Sequence, residues 1–550
     1  MHKEIHLKSL TLKSLIENSL ASFSKNPSIS FVEGTPISYA ELGQEIQNTA
    51  NLLFSLGLKK GDKVALFSHN MPNWVIAFFA VVSKGLIIVP ILPDFSSEET
   101  LNVLEHSESK VLLVSERLYS RVEKLEIATL KAIIKLDDFS IITGGKQNDE
   151  KKAGDIEVIE SDIAAIIYTS GTTGRSKGVV LTHKNITYVA AAAFAVFPIN
   201  HEDVFLSFLP LSHTYENTIG MLFPIMYGAS IFYLEKPPTA AALLPALSKI
   251  RPTMMLSVPL IMEKIYKVQI QGKFAKNHFS WMIYKTPIFR KLIHRIAGKK
   301  LYQTFGGRLK FFGIGGAKLD ARVERFLSEA KMPYAIGYGL TETAPLLAGA
   351  SPHHTKLQST GFAIRGVELK IHEPNTKGIG EIWAKGPNVM QGYYKNPEAT
   401  AEVLVEGGWF RTGDYGKLDR KKRLYIKGRM KNMIVSSSGE NIYPEDIESV
   451  INNNQYVLES LVVEEDGHLV AKVLLDLETL EKHYEHLKGI IEEKKLEYHE
   501  WMSHFTKEIN NKLNKVSQIK RVDVMETPFE KTASQKIKRF LYIKKSKKAS

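Results

Sequence analysis

Short apolar runs alternate with stretches in which apolar positions return every three or four residues. "KVALF" (63–67), "GLIIVPI" (85–91), "KVLLVS" (110–115) and "AAIIYTS" (164–170) read as buried strands, and "YAELGQEIQNTANLLFSL" (39–56) as an amphipathic helix. That rhythm predicts α/β layers with substantial parallel sheet. It continues past residue 200 in "DVFLSFLP", "ASIFYL", "TMMLSV", "LKFFGIGG" and "PYAIGYG", each a strand followed by turn signals, with no fixed-period repeat. Near residue 360 the pattern changes. "GVELKIHEPNTKGIGEIWAKG" (366–386) predicts a smaller β-rich module, and beyond "GRMKNMIVSSSGENIYPEDIE" (428–448) a more charged stretch predicts a small α+β unit. At 550 residues the chain exceeds one core, and the expected division is 1–430 and 431–550.

One segment mimics a membrane span. "WVIAFFAVVSKGLIIVPIL" (74–92) carries a single charge, Lys84, but the central Lys84-Gly85 pair and Pro90 predict a buried helix, a turn and a buried strand. The opening "MHKEIHLKSLTLKSL" lacks a continuous apolar stretch, so no secretory signal is expected. No cysteine occurs, which removes disulfides, thiolate metal sites and cysteine nucleophiles and fits a reducing cytoplasm. The net charge of +13 favours polyanionic partners: nucleotides, CoA, an acidic carrier protein or anionic lipid. Eight basic and no acidic residues lie between Lys531 and Ser550, a tail that reads as a solvated terminus able to touch an anionic membrane. Basic and aromatic residues do not interleave there, so nucleic acid is not an expected partner.

Residues 168–178, "YTSGTTGRSKG", combine three glycines, five Ser/Thr hydroxyls and one lysine behind an apolar strand. Such a loop suits phosphate. It differs from the common nucleotide loop, because Ser176 rather than glycine precedes Lys177 and the following "GVVLTH" suits a strand better than a helix start. Four further stretches accompany it. "YGLTET" (338–343) offers a ring, a hydroxyl and a carboxylate, or simply a helix N-terminus capped by Thr341. "FRTGDYG" (410–416) reads as an aspartate in a glycine turn, able to accept from ribose hydroxyls. "GRMKNM" lies at the expected boundary, and "EKTASQKIKR" (530–539) places Lys536 near the end.

Together, in this order, these stretches resemble the acyl-adenylate-forming enzymes, a superfamily that includes acyl-CoA synthetases, peptide-synthetase adenylation domains and firefly luciferase. The resemblance covers nearly the whole chain. It implies a large N-terminal domain of layered α/β subdomains plus a β-rich module, and a small mobile α+β C-terminal lid. It also implies attack of a carboxylate on the α-phosphate of ATP, followed by displacement of AMP by a thiol. On that resemblance Thr169, Ser170, Gly171, Thr172, Thr173, Gly174 and Lys177 hold the β and γ phosphates. Gly315, Gly316 and Ala317 line the adenine edge, while Tyr338, followed by Gly339, stacks on the base. Thr341 contacts the α-phosphate, Glu342 and Thr169 serve Mg²⁺, and Asp414 with Arg429 holds the ribose. Lys536 carries the adenylation charge, Lys431 is the hinge, and Gly439 lines the pantetheine path. Gln535 and Asn432 depart from the usual glycine and acidic residue.

"SFLPLSHTYENTIGMLFPIMYGASIFYL" (207–234) and "SVPLIMEKIYKVQI" (257–270) resemble long-chain fatty acyl-CoA synthetases. His213 or Tyr215 then lies by an acyl pocket, with a structural, hydrogen-bonded His213 as the alternative. His483 and His486 read as a solvated face. The expected substrates are ATP, a medium to long fatty acid and CoA. The alternatives are acyl carrier protein as acceptor through its phosphopantetheine, or a ligase that stops at the acyl-AMP. Oligomeric state is not legible.

Overall fold

The computed structural model describes the chain apart from residues 1–2, 146–147, 149–150, 170–175, 268–283, 285, 436–440, 455, 477–494, 533–536 and 544–550, and apart from the side chains of 441 and 495–501. Two large sheets dominate. The first has eight strands in the order Gly392–Tyr393, Lys177–Thr182, Ile163–Thr169, Ile87–Ile91, Lys63–Phe67, Val111–Val114, Ala132–Lys135 and Ile141–Gly144. Its centre is parallel. The second has seven strands, ordered Tyr334–Ile336, Phe311–Ile314, Met254–Ser257, Val204–Ser207, Ser230–Tyr233, Pro27–Phe31 and Ile37–Ser38, parallel except at the last pair.

Helices fill the space between these sheets, so the central strands are covered on both faces. Val64 and Leu66 face the shared core with Trp74, Phe78 and Phe205, whereas Ala65 and Phe67 face a second cluster with Phe95 and Val103. The helix Tyr39–Ser55 starts at a capping box in which Ser38 Oγ accepts from Glu41 N–H and the Glu41 carboxylate accepts from Ser38 N–H. The span-like segment folds as expected, into the helix Pro72–Val82, with Trp74 to Val82 buried, and the strand Ile87–Ile91. Among the described residues no helix is long and apolar enough to cross a membrane.

The expected β module is present as five antiparallel strands, Glu368–His372, Gly380–Lys385, Leu404–Val405, Trp409–Leu418 and Leu424–Arg429. A three-stranded hairpin sheet, Tyr338–Gly339, Leu346–Gly349 and Phe362–Ala363, joins it to the large sheets. Beyond a single 3₁₀ turn, Met430–Asn432, the chain builds the helix Pro444–Ile451 against the strands Val457–Glu465, His468–Leu475 and Arg521–Met525. The buried cluster here runs from Ile442 to Ile519 and shares no member with the clusters of the preceding residues. Across the turn, Lys267 Nζ donates to Val457 O at 2.6 Å, Lys318 pairs with Asp446, and the Tyr415 and Tyr443 rings pack 5.9 Å apart.

Candidate functional site

The strands flanking the hydroxyl-rich loop pair antiparallel and bring Thr169 opposite Lys177. Ser170, Gly171, Thr172, Thr173 and Gly174 lie outside the described residues, as do Gly439, His483, His486, Gln535 and Lys536. The expected strand after Lys177 is present and runs directly into the helix His183–Val196. That junction is closed by a reciprocal cap between Thr182 and Asn185. Asn185 Nδ2 also donates to Pro387 O and Val389 O, which fixes the segment leading to the edge strand Gly392–Tyr393. Tyr393 pairs with Val179 in that strand. Its ring lies 4.7 Å from the Lys177 ammonium, and its hydroxyl donates to Glu342 Oε1 at 2.9 Å. One tyrosine therefore stands between the loop lysine and the candidate metal carboxylate. No motif signalled it.

Glu342 sits in the 3₁₀ turn Thr341–Thr343. No α-helix starts there, so the capping alternative for Thr341 does not hold. Thr343 closes the turn instead, accepting from Leu340 N–H at 3.1 Å and donating to Pro345 O at 2.6 Å. Asn388, fully buried, donates to Thr343 O and Leu346 O, and Met390 N–H donates to Glu342 O. Gly339 has a packing reason for its identity, since a Cβ there would lie 1.7 Å from Pro345 O.

Asp414 does not sit in a turn. It lies inside the ten-residue strand Trp409–Leu418, whose alternating burial continues through a bulge at Gly413 (φ +69°). The glycine serves the bulge. Asp414 faces inward, accepting from the Tyr338 hydroxyl at 2.9 Å, with Arg429 Nε 3.4 Å away across the paired strand. Burial pushes the Tyr338 hydroxyl pKa up and the Asp414 carboxylate adds to it, so Tyr338 remains a neutral donor. Ring, carboxylate and guanidinium thus form one group.

On the third side, Tyr215 packs on the glycine strand. A Cβ at Gly313 would lie 2.9 Å from its hydroxyl, and one at Gly315 3.1 Å from its ring. Gly316 (φ +87°) and Ala317 form the exposed turn that follows. His213 Nδ1 accepts a long hydrogen bond from Tyr215 N–H, 3.4 Å, which is the structural alternative for that histidine. Lys431 is exposed in the 3₁₀ turn beside Arg429.

The sequence reading missed Glu216. It begins the π-helix Glu216–Leu222, a geometry frequent at functional sites, and is 2% exposed. Burial pushes its carboxyl up to about 8 against a hydrogen bond from Ser207, so it is neutral at pH 7. Gly220 makes room for it, since a Cβ there would meet the carboxyl at 2.6–2.9 Å. The same π-helix reaches the turn that carries Glu342, with Thr218 Oγ1 donating to Ala344 O at 2.9 Å.

The residues present fit a magnesium nucleotide. Glu342 offers a hard carboxylate oxygen, and Lys177 supplies positive charge for phosphate. Among the described residues no group of three or more His, Cys, Asp or Glu could hold an ion, so phosphate oxygens would complete the coordination.

A family model described as AMP-binding enzyme matches residues 16–394. Curated relatives include fatty acyl-CoA synthetase A of Dictyostelium discoideum, 29% identical over 491 residues, covering 81% of this chain and 73% of the relative. Another is the chloroplastic long-chain-fatty-acid–[acyl-carrier-protein] ligase AEE15 of Arabidopsis thaliana, 29% identical and covering 80% and 72%. Among solved structures, ATP-bound MatB from Rhodopseudomonas palustris superposes with a TM-score of 0.77 at 23% identity, covering 97% of this chain and 98% of that one. At that identity the likeness shows a shared fold.

Two predictions follow from this geometry. Tyr393→Phe keeps the ring over Lys177 and removes the donor to Glu342. Magnesium-dependent ATP binding, followed by calorimetry across a Mg²⁺ titration, is expected to weaken about tenfold; an unshifted titration would refute the positioning role. Glu216→Gln removes a proton that the folded state keeps up to about pH 8 and the unfolded chain releases near 4.5. Wild-type stability is fully present below the lower value and falls as pH rises through the window, by at most about 1.4 kcal/mol per pH unit. Urea unfolding of the variant should lack that slope, and parallel wild-type and variant curves from pH 5 to 8 would contradict it.

Proposed function

The chain belongs to the AMP-binding enzyme family, and from that premise we propose that it activates a fatty acid with ATP and transfers the acyl group to CoA. In the first half-reaction a carboxylate oxygen attacks the α-phosphorus, the bond to the β-phosphate oxygen breaks, and acyl-AMP and pyrophosphate form. In the second, a thiol sulfur attacks the acyl carbonyl, AMP departs, and the thiol proton is released. The observation that carries this reading is the convergence of Lys177–Tyr393–Glu342 and Tyr338–Asp414–Arg429 on one hairpin, with Tyr338 in its first strand and Glu342 in its turn.

The residues divide the work by charge. Thr169 and Lys177, with Ser170, Gly171, Thr172, Thr173 and Gly174, cradle the β and γ phosphates. Thr341 donates to the α-phosphate. Glu342 and Thr169 would hold magnesium, which when bound would supply positive charge to the phosphates. Tyr338 stacks on adenine beside Gly315, Gly316 and Ala317, and Asp414 and Arg429 hold the ribose. Lys536 approaches as the α-phosphate is attacked, a fixed charge where negative charge is redistributed. Tyr215, packed on Gly313 and Gly315, separates the acyl chain from the adenylate.

CoA is the acceptor we favour. Acyl carrier protein is the second reading, supported by the relative named for that acceptor and by the net charge of +13. We place the domain boundary and hinge at Lys431, supported by the separate cluster that runs from Ile442 onward. The basic tail gives the enzyme a contact with anionic membrane, and its working place is the cytoplasm.

Pyrophosphate exchange across fatty acids of graded length tests the first step. Activity should rise with chain length as apolar surface is buried, about 0.8 kcal/mol per CH₂. Lys536→Ala should depress exchange by roughly 10²–10³ while supplied acyl-AMP is still converted to thioester; absence of exchange with every acid in the wild type would end the proposal. Lys431→Pro fixes φ and restricts Met430, trapping one lid pose. Exchange is expected to survive within several-fold while thioester synthesis collapses, and wild-type thioester synthesis would remove the hinge.

A further inference from the structure

Among the described residues, the helix Pro287–Thr304 is held from one side. His294, Gly298 and Leu301 are buried beneath it, and a Cβ at Gly298 would lie 2.5 Å from that of Ala330. A polar chain fixes its rotation. The Tyr266 and Tyr284 hydroxyls are 2.8 Å apart, Tyr284 Oη is 2.8 Å from His294 Nε2, and His294 Nδ1 is 2.8 Å from Glu329 Oε2. Arg290 closes the chain with two donations to Glu329. The helix cannot turn its outer face inward without breaking this set.

That outer face is apolar where solvent meets it. Ile288, Leu292 and Ile296 are 77%, 55% and 65% exposed, with Phe289 at 51% beside them. At i, i+4 and i+8 they form a straight stripe about 12 Å long. A second stripe, Lys291, Arg295 and Lys299, runs alongside it roughly 60° round the helix, with Lys300 next to its end, and all four are exposed. The helix contains no acidic residue. Exposed Arg251 and Arg308 add positive charge just past the C-terminal end of the helix, where Arg251 Nε donates to Gly306 O and Arg308 Nη2 to Ile250 O.

We infer that this face is an interfacial anchor that seats the protein on an anionic phospholipid surface, with the apolar stripe at the acyl boundary and the basic stripe among the headgroups. Membrane-surface helices pair these two features. A second copy of the chain would bring one basic band onto another. Nucleic acid would leave three aliphatic side chains against a polar backbone. The surface stands on the helix alone, independent of the proposed activity and of the C-terminal tail.

Co-sedimentation of the full-length protein with vesicles tests it. The wild type should pellet with phosphatidylcholine–phosphatidylglycerol vesicles and stay in solution with pure phosphatidylcholine. Ile288→Ser/Leu292→Ser/Ile296→Ser and Lys291→Glu/Arg295→Glu/Lys299→Glu, each with the tail intact and thermal melting checked, should each lower vesicle affinity at least about tenfold. Pyrophosphate exchange on a soluble short-chain acid should be unchanged. Wild-type sedimentation by the serine variant would assign any membrane contact to the tail and overturn the proposal. A wild-type dimer in light scattering that the serine variant converts to monomer would overturn it in favour of a contact between copies.

Discussion

The carboxamide of Asn388 is the contact on which the site depends. The hairpin that carries Tyr338, Thr341 and Glu342 is half-buried at those residues and buried from Thr343 onward, where its carbonyls have no water to bond. Asn388 donates to Thr343 O in the turn and Leu346 O on the second strand, 3.0 and 2.9 Å, with no side-chain exposure. Leaving two buried carbonyls unpaired costs about 1–3 kcal/mol each. Thr218 adds a third bond, to Ala344, from the π-helix, and Met390 a fourth, to Glu342. The turn is therefore held by groups from two separate parts of the chain, 388–390 and the π-helix. Its side chains are left to face the ligand.

Much of the scaffold was legible because buried parallel strands announce themselves as uninterrupted apolar runs. "KVALF" became Lys63–Phe67 residue for residue, and the span-like segment resolved into a helix and a strand because Lys84-Gly85 interrupts it. The site was legible chiefly through motif resemblance. Where local composition was read alone it misled at Asp414: Gly413 looked like a turn signal, but alternating burial over ten residues kept the strand going and used the glycine for a bulge. Thr341 failed as a helix cap for a related reason, because Thr343 closes the turn before a helix can start.

Tyr393, Asn388 and Glu216 were not legible. Tyr393 and Asn388 act on partners far away in sequence, Glu342 and Thr343, and Glu216 begins a π-helix that no periodicity distinguishes from an α-helix. Tyr393 also has a double duty that pattern cannot encode. Its ring faces a cation while its hydroxyl faces a carboxylate, so opposite charges are kept apart without either losing a partner.

The fit between Glu216 and Gly220 has a consequence for how this chain can vary. Any side chain at 220 would strike the carboxyl at 216, and the carboxyl is surrounded by packed core. The two positions are therefore epistatic. An alanine at 220 must either displace the carboxyl at 216 or follow its shortening, whereas 216 can shorten first with 220 unchanged. The easier descent through this pair therefore changes 216 before 220.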